Sequence, residues 1–229
     1  MSSKDGWNET SVNLQLPATC VKNQSEDHAP KFEVKGVFYR RLIEVIKAAF
    51  QDTTATAFHY TPFRLFWRPG PDHIPECVIS EMYNSDAILE EHIKLMDKPG
   101  DPECKLEKTI AAIMVWSDAT HLASFGTASL WPIYVFFGNQ SKYTQGKPTS
   151  FAAHHLAYIP AVSSYWCNIF SCLLHYQLPN TIQDIYQSIF GHPATTAILT
   201  FLKRELLHKI WVLLLDPDFM HAYVHGIVI

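Results

Sequence analysis

The spacing of apolar side chains changes several times along the chain. In the segment KFEVKGVFYRRLIEVIKAAFQD, residues 31–52, Phe38, Leu42, Val45, Ile46 and Ala49 recur at helical intervals. Arg40, Arg41, Glu44 and Lys47 fall mostly elsewhere on the wheel, so the spacing predicts an amphipathic helix. The thirty residues before it are polar and charged, and predict a disordered tail over 1–30. Residues 58–68, FHYTPFRLFWR, set aromatics between His59, Arg64 and Arg68 ahead of a loop at 69–75. Residues 78–96 read as a second helix, stopped by the Lys-Pro-Gly-Asp-Pro stretch at 98–102, which is the best internal boundary.

Beyond that boundary the period shortens. Ile110–Trp116 is a continuous apolar run ending at Ser117-Asp118, the pattern of a strand buried on both faces. Leu130–Phe137, reached through a turn containing Gly126, is a second such run, and Ala152–Ile159 a third. Three short apolar segments in close succession predict an antiparallel meander. Helical spacing returns after Asn180: Asn180 or Thr181 caps a helix over Ile182–Phe190, and Pro193 suits the first turn of a long helix through Leu215. The fold class is therefore α/β: a mainly helical region over 31–103, then over 104–229 a meander followed by helices.

Composition narrows the classes. Of 229 residues, 48% are apolar and 13% aromatic, enough for a packed core. The net charge of −4 gives no whole-chain attraction to nucleic acid, so any DNA-facing surface must be local. No run of apolar residues is long enough to cross a membrane, and the first thirty residues lack the apolar centre of a signal peptide. Cys20, Cys77, Cys104, Cys167 and Cys172 are odd in number and follow no metal-binding or redox spacing, which predicts reduced intracellular thiols.

Asp118 is the sharpest chemical candidate. A carboxylate directly after a buried strand is held rigidly where a metal or substrate can reach it. The competing reading is a turn aspartate capping its own loop. Two-metal phosphoryl transfer needs several such carboxylates, and one is not a site. Lys31, Lys35, Arg40, Arg41, Lys47, Arg64 and Arg68 make the N-terminal third locally basic, with His59, Phe63 and Trp67 interleaved. They suit a surface that follows a phosphate backbone and stacks on unpaired bases, or equally a solvated face above an aromatic core. His221 and His225 share a helix face without the glutamate of a zinc-protease helix, and the adjacent His154 and His155 point to opposite faces of a strand. Phosphate-loop, nucleophile-elbow and dinucleotide-binding motifs are absent, which removes those enzyme classes.

Five blocks in order carry a family likeness: FHYTPFRLFWRPGPD, VISEMYNSDAILEEH, WSDATHLASFGTASLWPIYVFFGNQSKYT, AAHHLAYIP and LKRELLHKIWVLLLDPDFMHAYVHGIVI. From about residue 35 to the end the chain resembles the Plavaka transposases of fungi, in the Kyakuja-Dileera-Zisupton group related to the CACTA elements. The resemblance implies a DDE/D-type transposase with an RNase H-like core that cuts and joins DNA with magnesium in the nucleus. Its partners would be transposon-end DNA and intact transposase subunits. The position matching the first catalytic and metal-binding acid is Asp118. The further acids of the family lie in segments beyond those present here, so the expectation is an incomplete core without nuclease activity of its own. The alternatives are a non-catalytic remnant binding DNA or transposase through Lys35, Arg40, Arg41, Lys47, Arg64 and Arg68, and a degenerate reading frame without function.

One departure from the family pattern is Val162–Gln177, VSSYWCNIFSCLLHYQ, which separates Ala161 from Leu178. Removing it restores AYIPALPNTIQDIYQ. Valine codons begin with GT and one glutamine codon is CAG, so 162–177 fits an in-frame retained intron. An mRNA that keeps these codons in every read would sink that interpretation.

Overall fold

The computed structural model describes residues 2–18, 25–99, 105–118, 120–121, 129–159 and 181–229. The Gly126 turn, the 162–177 insert, the Asn180 cap, most of the boundary loop and four of the five cysteines lie outside these residues. In chain order the elements are β1 (Asn8–Gln15), β2 (Lys31–Tyr39), α1 (Leu42–Gln51), β3 (Leu65–Trp67), β4 (Glu76–Val78), α2 (Asp86–Asp97), β5 (Ile113–Ser117), β6 (Thr120–His121), β7 (Ser129–Phe137), α3 (Lys142–Gln145), β8 (His154–Ile159), α4 (Thr181–Phe190), α5 (Thr196–Leu214) and α6 (Pro217–His225). The architecture is mixed α/β with an antiparallel sheet ordered β1-β2-β8-β7-β5, β6 pairing with β7, and a separate β3-β4 ribbon.

Two expectations near the N-terminus are corrected. The expected tail contains β1, and the first half of the expected helix is β2, its antiparallel partner. Val12, Leu14 and Leu16 are buried at a period of two, as are Phe32 and Val34 across from them. At Gly36 the phase breaks: Thr10 pairs with Val37 but Val12 with Val34, so Lys35 and Gly36 together oppose Ser11. Gly36 takes φ +77°, a conformation open to glycine without a Cβ penalty. The bulge restores Val37 to the buried side. It also shifts the alternation by one residue, which hides the strand period and lets the segment read as helix from spacing alone. The helix is real from Leu42 onward, burying Leu42, Ile43, Val45, Ile46 and Ala49.

The second expected helix begins later than its apolar spacing suggests. Asn84 is buried, and its side-chain oxygen accepts from the Ser80 and Glu81 amides at 3.1 and 2.9 Å. That local turn stops the helix from propagating backwards. Ser85 then caps α2 by accepting from the Ile88 amide. Residues 76–78 become β4 instead.

The three expected strands are present as β5, β7 and β8, adjacent in the order of the meander. The expectation that the first is buried on both faces is not met: Val115 and Trp116 are exposed. Among the described residues β5 ends the strand order, so only β7 lies beside it. The C-terminal helices follow their caps. Thr195, two residues past Pro193, accepts from the Ile198 amide and starts α5. The long helix expected through Leu215 ends at Leu214, and Asp216-Pro217 starts a further helix, α6, which carries His221 and His225.

By contacts the chain divides into two units. The first comprises 1–45, 117–134 and 155–228. In it α5 packs on β1 through a stripe of Ile198, Leu202, Leu206, Ile210 and Leu214, spaced four apart. The buried ring of Tyr186 on α4 donates its hydroxyl to the Pro17 carbonyl at 2.7 Å. The second unit comprises 46–116, 135–154 and 229. Phe50, Phe58 and Phe137 meet there, Phe50 edge-on to both others at centroid distances of 5.2 and 5.3 Å. Asn139 is buried beside this cluster's strand end. Its side chain accepts from the Ala112 amide at 2.9 Å and donates to the Ile110 and His59 carbonyls at 2.8 and 3.1 Å. A Cβ on the preceding Gly138 would collide with the Met82 side chain, which would have to shift to admit it.

Candidate functional site

Asp118 lies one residue past β5 and is exposed. The strand end before it is clamped: the Ser117 hydroxyl donates to the Pro132 carbonyl and accepts from the Trp131 indole N–H, each at 2.9 Å. After it, β6 lies against the start of β7, pairing Thr120 with Leu130 and His121 with Ser129. The aspartate thus occupies a break between two strands whose positions are fixed on either side. A carboxylate so placed faces solvent with its backbone held, the arrangement needed to present it to a ligand. Among the described residues no three His, Cys, Asp or Glu side chains come close enough to hold a metal ion. His221 and His225 are exposed on α6, their rings tilted by 39° with centroids 4.5 Å apart. His154 meets Phe137, whereas His155 meets Tyr134 and Tyr158, so the two neighbours do not converge.

The six basic candidates divide evenly between the units. In the first, Lys35 pairs with Glu33 at 3.4 Å on the open side of β2. Arg41 is held by two carboxylates: Nε lies 3.1 Å from Asp216, and Nη2 donates to Asp218. The Asp218 and Asp216 hydrogen bonds, in that order, hold the Arg41 guanidinium more firmly protonated than usual. This charge is engaged in joining the start of α1 to the start of α6. Arg40 instead stands 5.9 Å over the Trp7 ring. In the second unit, Lys47 sits on α1, half-buried. Arg64 pairs with Asp86 at 3.4 Å, and the Arg68 guanidinium bonds its own loop, Nε donating to the His73 carbonyl at 2.9 Å.

Sequence reasoning missed the aromatic group that accompanies Arg40. Trp7 packs on Tyr158 at 5.1 Å, and the Tyr158 hydroxyl donates to His155 Nδ1 at 2.6 Å in the tautomer protonated on Nε2. Tyr134 meets His155 edge-on at 4.7 Å. Burial, and secondarily the Arg40 charge, push the His155 imidazole below its ordinary pKa. Burial pushes the Tyr158 phenol up. The signal available in the sequence was the alternation around Trp7 and β1, hidden once 1–30 was read as a tail.

No helix among the described residues is long and apolar enough to cross a membrane. A family model, Plavaka transposase, matches residues 2–205 of the chain, reaching further toward the N-terminus than the five sequence blocks. No match was found among curated proteins or among solved structures.

Proposed function

The chain belongs to the Plavaka transposase family, and from that premise we propose that it serves the cutting and joining of transposon-end DNA as part of a DDE/D-type enzyme with an RNase H-like core, working with magnesium in the nucleus. Within that reading Asp118 is the first catalytic carboxylate. The observation that carries the assignment is its seat: exposed, immediately after β5, with Ser117 fixed to both Trp131 and Pro132.

The divalent ion that the family implies does not find a matching donor set among the described residues. We assign no cleavage activity to this polypeptide by itself, because two-metal phosphoryl transfer needs several carboxylates and Asp118 is one. Purified chain incubated with supercoiled plasmid and magnesium should leave the plasmid uncut, before and after Asp118→Ala. Magnesium-dependent nicking that disappears in Asp118→Ala would overturn the inactivity and establish the aspartate at once.

A second reading, non-catalytic binding to DNA or to an intact transposase subunit, is favoured by exposed cations such as Lys35, Arg64 and Arg68. Binding to transposon-end duplex should weaken steeply with added salt, since each phosphate contact releases condensed counterions. Affinity that is independent of salt would count against it.

A further inference from the structure

The β3-β4 ribbon is built for contact rather than for the core. Leu65, Phe66 and Trp67 pair with Val78, Cys77 and Glu76. Successive residues of a strand point to opposite faces, so Phe66 lies on one face and Leu65 and Trp67 on the other. Both faces are open: Leu65 is 42% exposed, and Phe66 and Trp67 are each 55% exposed. A two-stranded ribbon is marginal alone, and a phenylalanine and an indole more than half exposed leave much of their apolar surface unused by it. Contiguous exposed apolar surface of this kind marks an interaction site. Here the partner must be able to touch both faces of a narrow ribbon.

The adjoining charge identifies the partner's chemistry. Arg68 directly follows Trp67, and its guanidinium is anchored by its own loop, donating to the carbonyls of Pro71 and His73. Among the described residues it meets no carboxylate, so a fixed and uncompensated cation directly follows the last residue of β3. At the other end of β3, Arg64 has only an exposed pairing with Asp86. Flat π surfaces beside a prepositioned guanidinium suit a ligand that offers both ring faces and anionic groups at short intervals. Nucleotides do so, but duplex DNA hides its ring faces inside the stack. A single strand exposes them.

Resting on the reading that this chain acts on DNA, we propose that the β3-β4 ribbon is a binding element for unpaired DNA, with Trp67 and Phe66 stacking on bases and Arg68 taking the adjoining phosphate. DNA cutting and joining passes through ends whose terminal nucleotides can leave the duplex, and the ribbon holds such nucleotides.

Fluorescence anisotropy tests this with the purified full chain, a labelled DNA single strand, the RNA strand of the same sequence and a blunt duplex, all at one salt concentration. The single DNA strand should bind more tightly than the duplex. Trp67→Ala or Phe66→Ala should weaken it about tenfold to a hundredfold, the stacking of one base, with duplex affinity unchanged. Trp67→Phe should retain most of the binding. Arg68→Gln should lower the salt slope by about one phosphate contact. Unchanged thermal unfolding of these exposed-site variants separates lost contact from lost fold. Full single-strand affinity in Trp67→Ala overturns the assignment while leaving duplex binding, and hence the transposase reading, intact. Tighter binding of the RNA strand also overturns it. Loss of self-association in the ribbon variants, without loss of DNA binding, would replace the nucleic acid with a second copy of the chain. Failure of all three nucleic acids to bind would overturn both this proposal and the DNA-binding reading beneath it.

Discussion

Replacing Asn139 is expected to be among the most damaging single changes available in the second unit. The side chain makes three hydrogen bonds at once, accepting from the Ala112 amide and donating to the Ile110 and His59 carbonyls. The residue is 4% exposed, so water does not stand ready to replace them. Asn139→Ala removes all three and strands one N–H and two carbonyls. Net hydrogen bonds are each worth about 1 kcal/mol, and a buried group left unmet costs about 1–3 kcal/mol. Backbone bonding around the site survives, including His59 N–H to the Asn139 carbonyl at 2.7 Å. A loss of about 3–5 kcal/mol follows, toward the upper end of single-residue effects. Denaturant unfolding followed by circular dichroism reads this directly as a shift in midpoint at constant slope. Asn139→Asp is the sharper companion, because a carboxylate keeps the acceptor yet places negative charge against two carbonyl oxygens. The folded state then favours the protonated acid, whose pKa rises. The unfolded state binds fewer protons in that window, so the deficit should be largest at neutral pH and should shrink on acidification. A change below about 1 kcal/mol in Asn139→Ala would refute the claim that this network holds residues 59, 110 and 112 together.

Two further outcomes follow from the first unit. Asp216 both pairs with Arg41 and caps α6 by accepting from the Phe219 amide at 2.8 Å. Asp216→Ala should therefore cost about 1 kcal/mol or more, whereas Asp218→Ala removes only an exposed ion pair and should cost less; equal midpoint shifts in thermal unfolding would contradict the ranking. His155 should titrate below the ordinary imidazole range in an NMR pH series, because burial chiefly, and Arg40 in addition, disfavour its cation. Its folded value lies below its unfolded one, so its stabilising contribution is present above the ordinary value and is lost as pH falls through the lowered one. Arg40→Ala should move the titration part of the way back up; titration above the ordinary range would show that the imidazole is not desolvated.

Much of the architecture was readable without coordinates where one local rule acted alone. The apolar runs that became β5, β7 and β8 are too short and too continuous for surface helices, and polar or glycine-rich residues bound them. The start of α2 was written in Ser85-Asp86, although apolar spacing extended the expected helix back across this cap, and the long helix expected through Leu215 stops where Asp216-Pro217 starts α6. Where two rules overlap, the reading failed. Gly36 inserts one residue into β2 and shifts its alternation, so a strand and the helix behind it merged into one apparent helix. Its partner β1 was then left as tail, since a lone alternating segment has no visible reason to pair.

By itself the sequence determined the family, which the family-model match over residues 2–205 shows, and the α/β class, through the periods of its apolar runs. It also placed Asp118 at the end of a strand. Tertiary structure decided what each charged or aromatic group meets. Arg41 is engaged by Asp216 and Asp218 from a segment far along the chain, while Arg68 is held by its own loop with its charge uncompensated among the described residues. Trp116 stands in solvent although its segment read as a strand buried on both faces, and Trp67 stands in solvent on β3. The physical reason is that periodicity and capping are local and act within a few residues, whereas burial and charge compensation depend on partners that only the folded chain brings together.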